Sequence, residues 1–457
     1  MLRDGRFRLS LLITGTLLLV SIAVSYSYYQ SVKKQFDEAT ASHRQNWETQ
    51  TDKNPHAAAH FGTYVFKKKS FLSLIDAGTD KYTGIAFYLE PHRRNSPQYS
   101  VLQDETSLIR FGDLNPSFIL LYLLPLLIML LGFNAYTKER ENGTWRLLLL
   151  QHAGKPVVAV GKWLSLFCLP VVFITATFLV LVIAQPFTRS FGDYSLTSIS
   201  LLYLNYLLYN IVIINITLFV SSCTRSSGFS FLVLMAFWMT TSILAPKLTA
   251  NIAETSYPAF SSSQLNSLAA QLKSNGIDGH NAGNEASKKL EKEILQQYGV
   301  DSLSQLPVNF AGIRLDRGEQ LETRIYDSVF RLQKNSTQRQ FTCFTNSSFL
   351  SPFTASKFIS MGICHSDIYY HWHFADAAEQ YRRLFVNMMN ENIITHSKTG
   401  DTYKAGEELW KSVPRFSYQP PPVQDILNNQ AYNIAVLMLW LLVSFIALAF
   451  SVTKMKA

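Results

Sequence analysis

The sequence predicts an all-α polytopic membrane protein: six transmembrane helices, a small mixed α/β first ectodomain and a mainly helical second ectodomain. Three observations carry this. Only 16% of the 457 residues are charged, against about 25% in a typical soluble globular chain. Six stretches are apolar over the length of a crossing, which takes about 20 residues because a helix rises about 1.5 Å per residue. The excess of Lys and Arg is concentrated in the short connections between those stretches, as the positive-inside rule requires. With four cysteines and 48% hydrophobic residues, the composition excludes a disulfide scaffold, a disordered chain and an ordinary soluble enzyme.

Residues 1–29 hold an N-terminus and the first span, 9–29. Arg3, Arg6 and Arg8 before an apolar run also describe a signal peptide. The run exceeds a typical h-region, and the following SYSYYQ offers no small-x-small cleavage site, so an uncleaved anchor is the better reading. Residues 30–115 form the first extracytoplasmic domain. Val32, Phe36, Ala39, His43 and Trp47 recur at helical spacing, so the first span should continue outward as a helix. Beyond Pro55, GTYVF and YTGIAFYLE read as short strands between Gly, Asp and Pro turns.

Residues 116–246 carry spans at 118–136, 157–184, 199–220 and 229–245, with an inner loop at 137–156. The third is long enough to tilt, or to kink at Pro170, and the fifth should stop at Pro246, followed by Lys247. Residues 247–430 form a second, larger extracytoplasmic domain. Apolar residues recur there at i, i+3 or i+4 and i+7: Leu265, Leu268, Ala269, Leu272; Leu290, Ile294, Tyr298; Leu321, Ile325, Leu332; Phe374, Ala378, Tyr381, Phe385, Met388. This is a helical bundle. VPRFSYQPPP, 413–422, is a stiff extended segment that returns the chain to the sixth span, 431–452, within residues 431–457.

With the N-terminus inside, the short inner pieces contain 11 Lys/Arg and three acids, a sum of +8 out of the chain's +9. The 30 basic and 29 acidic residues on the other side nearly cancel. The basic charge therefore sets orientation, with both termini cytoplasmic, and no basic patch with interleaved aromatics remains to suggest nucleic acid.

The inner loop YTKERENGTWRLLLLQHAGKP leaves the membrane in a charged turn, bends at Asn142 and Gly143, and enters a short helix near Thr144. That helix would bury Trp145 and its leucines while presenting the Glu/Arg cluster to a neighbour. An amphipathic connector with its charges in water accounts for the same residues equally well.

The E-R-E-x-G-T turn, the Leu-rich helix, the Gly-Lys and the long span after it resemble the coupling segment of ABC export permeases of the type-2 membrane family. The order of six spans is similar. NPHAAAHFGTYVF (54–66), APKLTANIAETSYP (245–258) and LSPFTASKF (350–358) resemble a bacterial subgroup with two large ectodomains. The resemblance implies a permease subunit of an ATP-driven exporter in the bacterial inner membrane, with its ectodomains in the periplasm. It implies that Glu139, Arg140, Glu141, Gly143 and Thr144 dock a separate ATP-binding subunit. SSCTRSSG, 221–228, takes the position of a lesser contact. It implies a second permease chain, identical or paralogous, amid membrane lipids, and no catalysis by this chain, which binds no cofactor of its own: ATP and Mg belong to the partner. Consistently, G-x-x-x-x-G-K-[ST] is absent, since Gly154-Lys155 precedes Pro156 and Gly161-Lys162 precedes Trp163.

In the fourth span Tyr203, Tyr206, Asn210 and Thr217 share one helical stripe. They are candidates to line a translocation route, although interhelical hydrogen bonds explain such residues more economically. No span carries a central charge for ion coupling. Cys364, His365, Asp367, His371, His373 and Asp376 are enough residues for a metal centre, but His371 and His373 diverge on a helix and no H-E-x-x-H is present, so no metal site is expected. His56 and His60, four apart beside Pro55, read as stabilising the cap. Cys343 and Cys364 both fall outside the membrane and could form a disulfide or stay free thiols. The alternative to transport is a membrane anchor or sensor whose ectodomains scaffold an envelope complex.

Overall fold

The computed structural model describes residues 5–80, 82–98, 114–151, 154–188, 195–274, 276, 277 and 279–455. The sequence-based assignments that involve Arg3, Asp4, residues 99–113, residues 152 and 153 of the inner loop, and Lys456 lie outside the described residues.

Six helices have the length and apolar composition of membrane spans. The first, α1, is Gly5–Glu48, and it continues outward past the apolar run as its helical spacing predicts. After it come α2, Pro55–Phe61, then strands β1, Thr63–Phe66, β2, Ala86–Glu90, and β3, Arg93–Arg94. The strands form one antiparallel sheet in the order β1-β2-β3, with Thr63 opposite Leu89 and Leu89 opposite Arg94. The second span is α3, Pro116–Glu141, followed by a short inner helix α4, Thr144–Leu150, and the long span α5, Lys155–Thr188. The fourth span, α6, is Leu196–Cys223, and the fifth, α7, is Ser227–Ser256.

The helix of the fifth span does not stop at Pro246. A π-helical stretch at Thr240–Leu244 precedes Ala245, so Pro246 falls in the first turn of a renewed helix, where a missing N–H costs little. The helix runs ten residues farther than the proline rule suggests.

The second large segment supplies α8, Ser262–Lys273; α9, Glu285–Tyr298; α10, Phe310–Asn346; α11, Pro352–Ile363; α12, Ile368–His396; and α13, Glu407–Ser412. The sixth span is α14, Val423–Lys454. Hereafter the side of the two large segments is called outer and the side of the short loops inner.

Packing joins what the sequence divides. α6 lies at the centre of the membrane unit: 67% of its most apolar window is buried, against 22% for the first and fifth spans, where residues such as Leu12, Leu19, Leu232 and Leu244 are exposed. Gly132 of α3 lets α6 approach, since a Cβ there would meet the Thr217 methyl at 2.6 Å. Outside the membrane, Trp47, Val65, Phe87 and Leu89 from the first segment share one core with Phe374, Phe385, Met389 and Trp410 from the second. Within α11 all residues but Lys357 are buried, and the helix is sunk among α6, α7 and α14 at the outer end of the bundle.

Candidate functional site

At the inner end, Gly143 adopts the left-handed conformation, φ 72°, that lets α3 turn into α4. Trp145 is buried and meets the Tyr136 ring edge-on, centroids 5.9 Å apart. The charged residues of the turn bond within the chain. Lys162 Nζ donates to Glu139 Oε1 at 2.5 Å and to the Ala135 carbonyl at 2.5 Å. Arg140 donates to the carbonyls of Ser222 and Thr224, the latter at 2.9 Å. Glu141 accepts from the Ser227 backbone N–H at 2.6 Å and from its hydroxyl at 2.8 Å.

These contacts lace the first inner loop to the second, at 221–228, so Glu139 and Arg140 are half-buried struts. What faces outward from the loop is Lys138, Glu141, Asn142, Gly143, Thr144 and Arg146. Leu147, 58% exposed, and Leu150, 73% exposed, are not covered by the chain itself.

The fourth-span stripe is held inside a single subunit. Tyr206 Oη pairs with Ser360 Oγ of α11 at 2.6 Å, and Asn210 Nδ2 donates to the Tyr206 carbonyl at 2.8 Å. Thr217 Oγ1 donates to the Ile213 carbonyl at 2.7 Å, and Tyr203 Oη pairs with Thr175 Oγ1 at 3.1 Å. The bonds of Tyr206 and Tyr203 join α6 to other helices, whereas those of Asn210 and Thr217 close within α6 itself.

Where α11 meets the first outer segment, Asp76 is fully buried and accepts four hydrogen bonds. Its Oδ1 takes Lys357 Nζ at 2.6 Å and the Gly78 N–H at 3.1 Å. Its Oδ2 takes Ser360 Oγ at 2.6 Å and Ser117 Oγ at 3.0 Å. Cys364, at the end of α11, is buried in the same core, whereas Cys343 is half-buried within α10. Both are free thiols in the structure, Cys364 enclosed by the core beside Asp76.

His371 is a core histidine that burial pushes down to about 3, and His373 Nδ1 pairs with Tyr418 Oη at 2.8 Å. Asp376 pairs with Arg94 and Lys334, each at 2.8 Å. These are packing and surface roles, with no convergence on a metal.

Four other histidines do converge. Asn54 caps α2 by accepting from the His56 N–H at 2.9 Å, and the helix places His56 and His60 on one face. His92 comes from the β2–β3 turn and His280 from the loop before α9. Their Nε2 atoms lie 3.1 Å apart for His56–His60, 3.1 Å for His56–His92, 3.0 Å for His92–His280 and 3.5 Å for His56–His280. Burial, reinforced by the neighbouring His92, His60 and His280 imidazoles, pushes His56 down to about 3, and burial lowers His60 as well.

Behind them, His92 Nδ1 pairs with Glu322 Oε2 at 2.6 Å, and the His92 N–H donates to Glu319 Oε2 at 2.8 Å. Arg382, buried, holds Glu319 and forks onto Glu379 at 2.8 and 2.9 Å. The sequence reading found the His56/His60 pair but not its completion, because His92 and His280 lie in turns with no periodic signal.

Among known families, the model described as ABC-2 family transporter protein matches residues 2–294, and a domain of unknown function (DUF3526) matches residues 264–419. No curated protein matches the chain.

Proposed function

The chain belongs to the ABC-2 family of transporter membrane proteins, and from that premise we propose that it is the permease subunit of an ATP-driven exporter in a bacterial inner membrane. The family match over most of the six-span unit carries the reading. That G-x-x-x-x-G-K-[ST] does not occur in the given sequence supports ATP and Mg in a separate chain. The Lys/Arg bias of the inner loops supports cytoplasmic termini, and the outer unit then lies in the periplasm.

The inner loop is the surface on which the ATPase would dock, with a division of labour that its bonding supports. Gly143, Thr144 and Arg146 supply the outward face, next to the carboxylate of Glu141. Glu139 and Arg140 stiffen the loop against α5 and α6. A push on this face would then tilt α3 and α6 together instead of bending the loop. The route for cargo would form between two such permeases, identical or paralogous, a reading supported by the bond that ties Tyr206 of the α6 stripe to Ser360 within one subunit.

The test is affinity purification of the full chain from its native membrane in mild detergent, with identification of the copurifying chains. A stoichiometric ATP-binding subunit is expected, lost on Arg146→Glu. Purification without any ATPase overturns the proposal and favours the anchor or sensor reading.

A further inference from the structure

We propose that His56, His60, His92 and His280 form a tetrahedral zinc site that clamps the first outer segment to the second. One ring nitrogen from each lies within 4.8 Å of the other three, and four of the six Nε2 separations span 3.0–3.5 Å. A tetrahedron with Zn–N bonds of about 2.0–2.1 Å has edges of about 3.3–3.4 Å, so the cluster is already spaced as the ligand shell of one ion.

A hydrogen bond between the rings does not account for the approach of His56 to His92. The Nδ1 of His92 faces the Glu322 carboxylate and the Nδ1 of His56 faces Asn390 Oδ1 at 3.3 Å, so each Nδ1 carries the proton. Both Nε2 atoms then present lone pairs to each other at 3.1 Å. An electron-pair acceptor between the rings is what makes that arrangement favourable.

The surroundings have the form of a metal site. A carboxylate on the far nitrogen of a ligating imidazole fixes its tautomer and raises its basicity, and Glu322 stands in that place for His92. Lys273 Nζ bonds Glu322 at 2.9 Å and the His92 carbonyl at 2.7 Å. His92 has φ 68°, a conformation that a non-glycine residue adopts at a cost and that these partners hold.

Four imidazoles with tetrahedral edges suit Zn2+ better than Cu2+ or Ni2+, which favour tetragonal geometry, and better than the hard, oxygen-seeking Mg2+ and Ca2+. With all four positions filled by protein, the site is closed and structural, without a place for a reacting water. The expectation from sequence that this chain holds no metal gives way to this proposal. His56, His60 and His92 come from the segment before the second span and His280 from the one after the fifth, so one ion ties the two together across 188 to 224 positions of sequence.

The experiment uses the full chain purified in detergent without chelator. Elemental analysis should find about one zinc ion per chain, retained through gel filtration in the wild type and lost in His280→Ala, a change at an exposed loop. Glu322→Gln should bind zinc about 10–100-fold more weakly while keeping all four ligands. Wild-type protein stripped by a zinc chelator should melt at a lower temperature and recover with added Zn2+, whereas His280→Ala should respond to neither. Stripped protein given Co2+ should show the strong visible absorption of tetrahedral cobalt. Zinc content equal in wild type and His280→Ala overturns the site even if a variant folds poorly. So does wild-type protein that neither carries zinc nor gives the tetrahedral cobalt spectrum.

Discussion

Replacing Asp76 with Asn tests what seats α11 in the outer end of the bundle. The wild-type carboxylate is fully buried and satisfies Lys357, Gly78, Ser360 and Ser117 at once. An amide keeps one acceptor oxygen and turns the other corner into a donor that faces hydroxyls or the ammonium. Breaking a buried ion pair by changing one partner costs about 3–5 kcal/mol. Lys357 keeps 27% of its side chain exposed and can recover some hydration, so the low end, about 3 kcal/mol, applies. That is roughly a 150-fold shift in a local opening equilibrium.

Cys364, fully buried beside Asp76, reports that opening. With Cys168, Cys223 and Cys343 replaced by Ser, a water-soluble thiol reagent reaches Cys364 only when α11 lifts. The labelling rate should rise about 100-fold in Asp76→Asn when closing outpaces labelling. Asp76→Leu with Lys357→Met should label more slowly than Asp76→Leu alone, because an apolar pair leaves no stranded charge. Equal labelling of wild type and Asp76→Asn would refute the assignment of Asp76 as the anchor.

At the inner loop, Gly143→Val forces a β-branched residue into a left-handed turn at about 1–2 kcal/mol, with no clash because a Cβ there meets nothing within 4 Å. Copurification of the ATPase should weaken while expression and melting hold, and Gly143→Asn should be tolerated. In the outer unit, burial alone would raise Glu379, but the bonds from Arg382 and Arg383 outweigh it and hold the carboxyl below the ordinary glutamate value of 4.5. Its contribution is therefore complete above about pH 4.5 and lost as pH falls through the lowered value. Glu379→Gln should flatten the acid limb of melting temperature against pH; parallel acid limbs in both proteins would contradict this. Arg382→Met leaves Glu379 only Arg383 and Glu319 only the His92 N–H as hydrogen-bond donors, both carboxylates being 4% exposed, and should cost about 3 kcal/mol, read as a lower melting temperature at pH 7.

The spans were legible because hydropathy over some twenty residues is a local sum, and the outward run of α1 because Val32, Phe36 and Trp47 keep its period. The end of the fifth span was not, since one π stretch before Pro246 reverses what proline implies. The pairing of thiols and the roles of the inner charges depend on which neighbours approach. Glu141 binds Ser227, which is 86 positions away, and no local pattern encodes that distance. The histidine cluster shows the same limit: His56 and His60 are visible as an i, i+4 pair, but His280 joins them only after α10 has packed on the outer sheet and brought its Glu319 and Glu322 under His92.

Bonds from α6 reach both ends of the membrane unit. Near its inner end Ser221 Oγ accepts from the Tyr136 N–H at 3.0 Å, and the carbonyls of Ser222 and Thr224 take Arg140. Farther out, Asn205 Nδ2 donates to the Ser356 carbonyl at 3.0 Å and Tyr206 pairs with Ser360, placing α11 and Asp76 on the same helix. A helix of 28 residues spans about 42 Å, and between these attachments it is the most buried of the spans. Polar residues in a membrane span were weighed first as a lining for cargo. In this bundle they make one stiff rod whose inner end is fixed to the loop and whose outer half is fixed to a sunken helix, so displacement at one end has a continuous bonded path to the other.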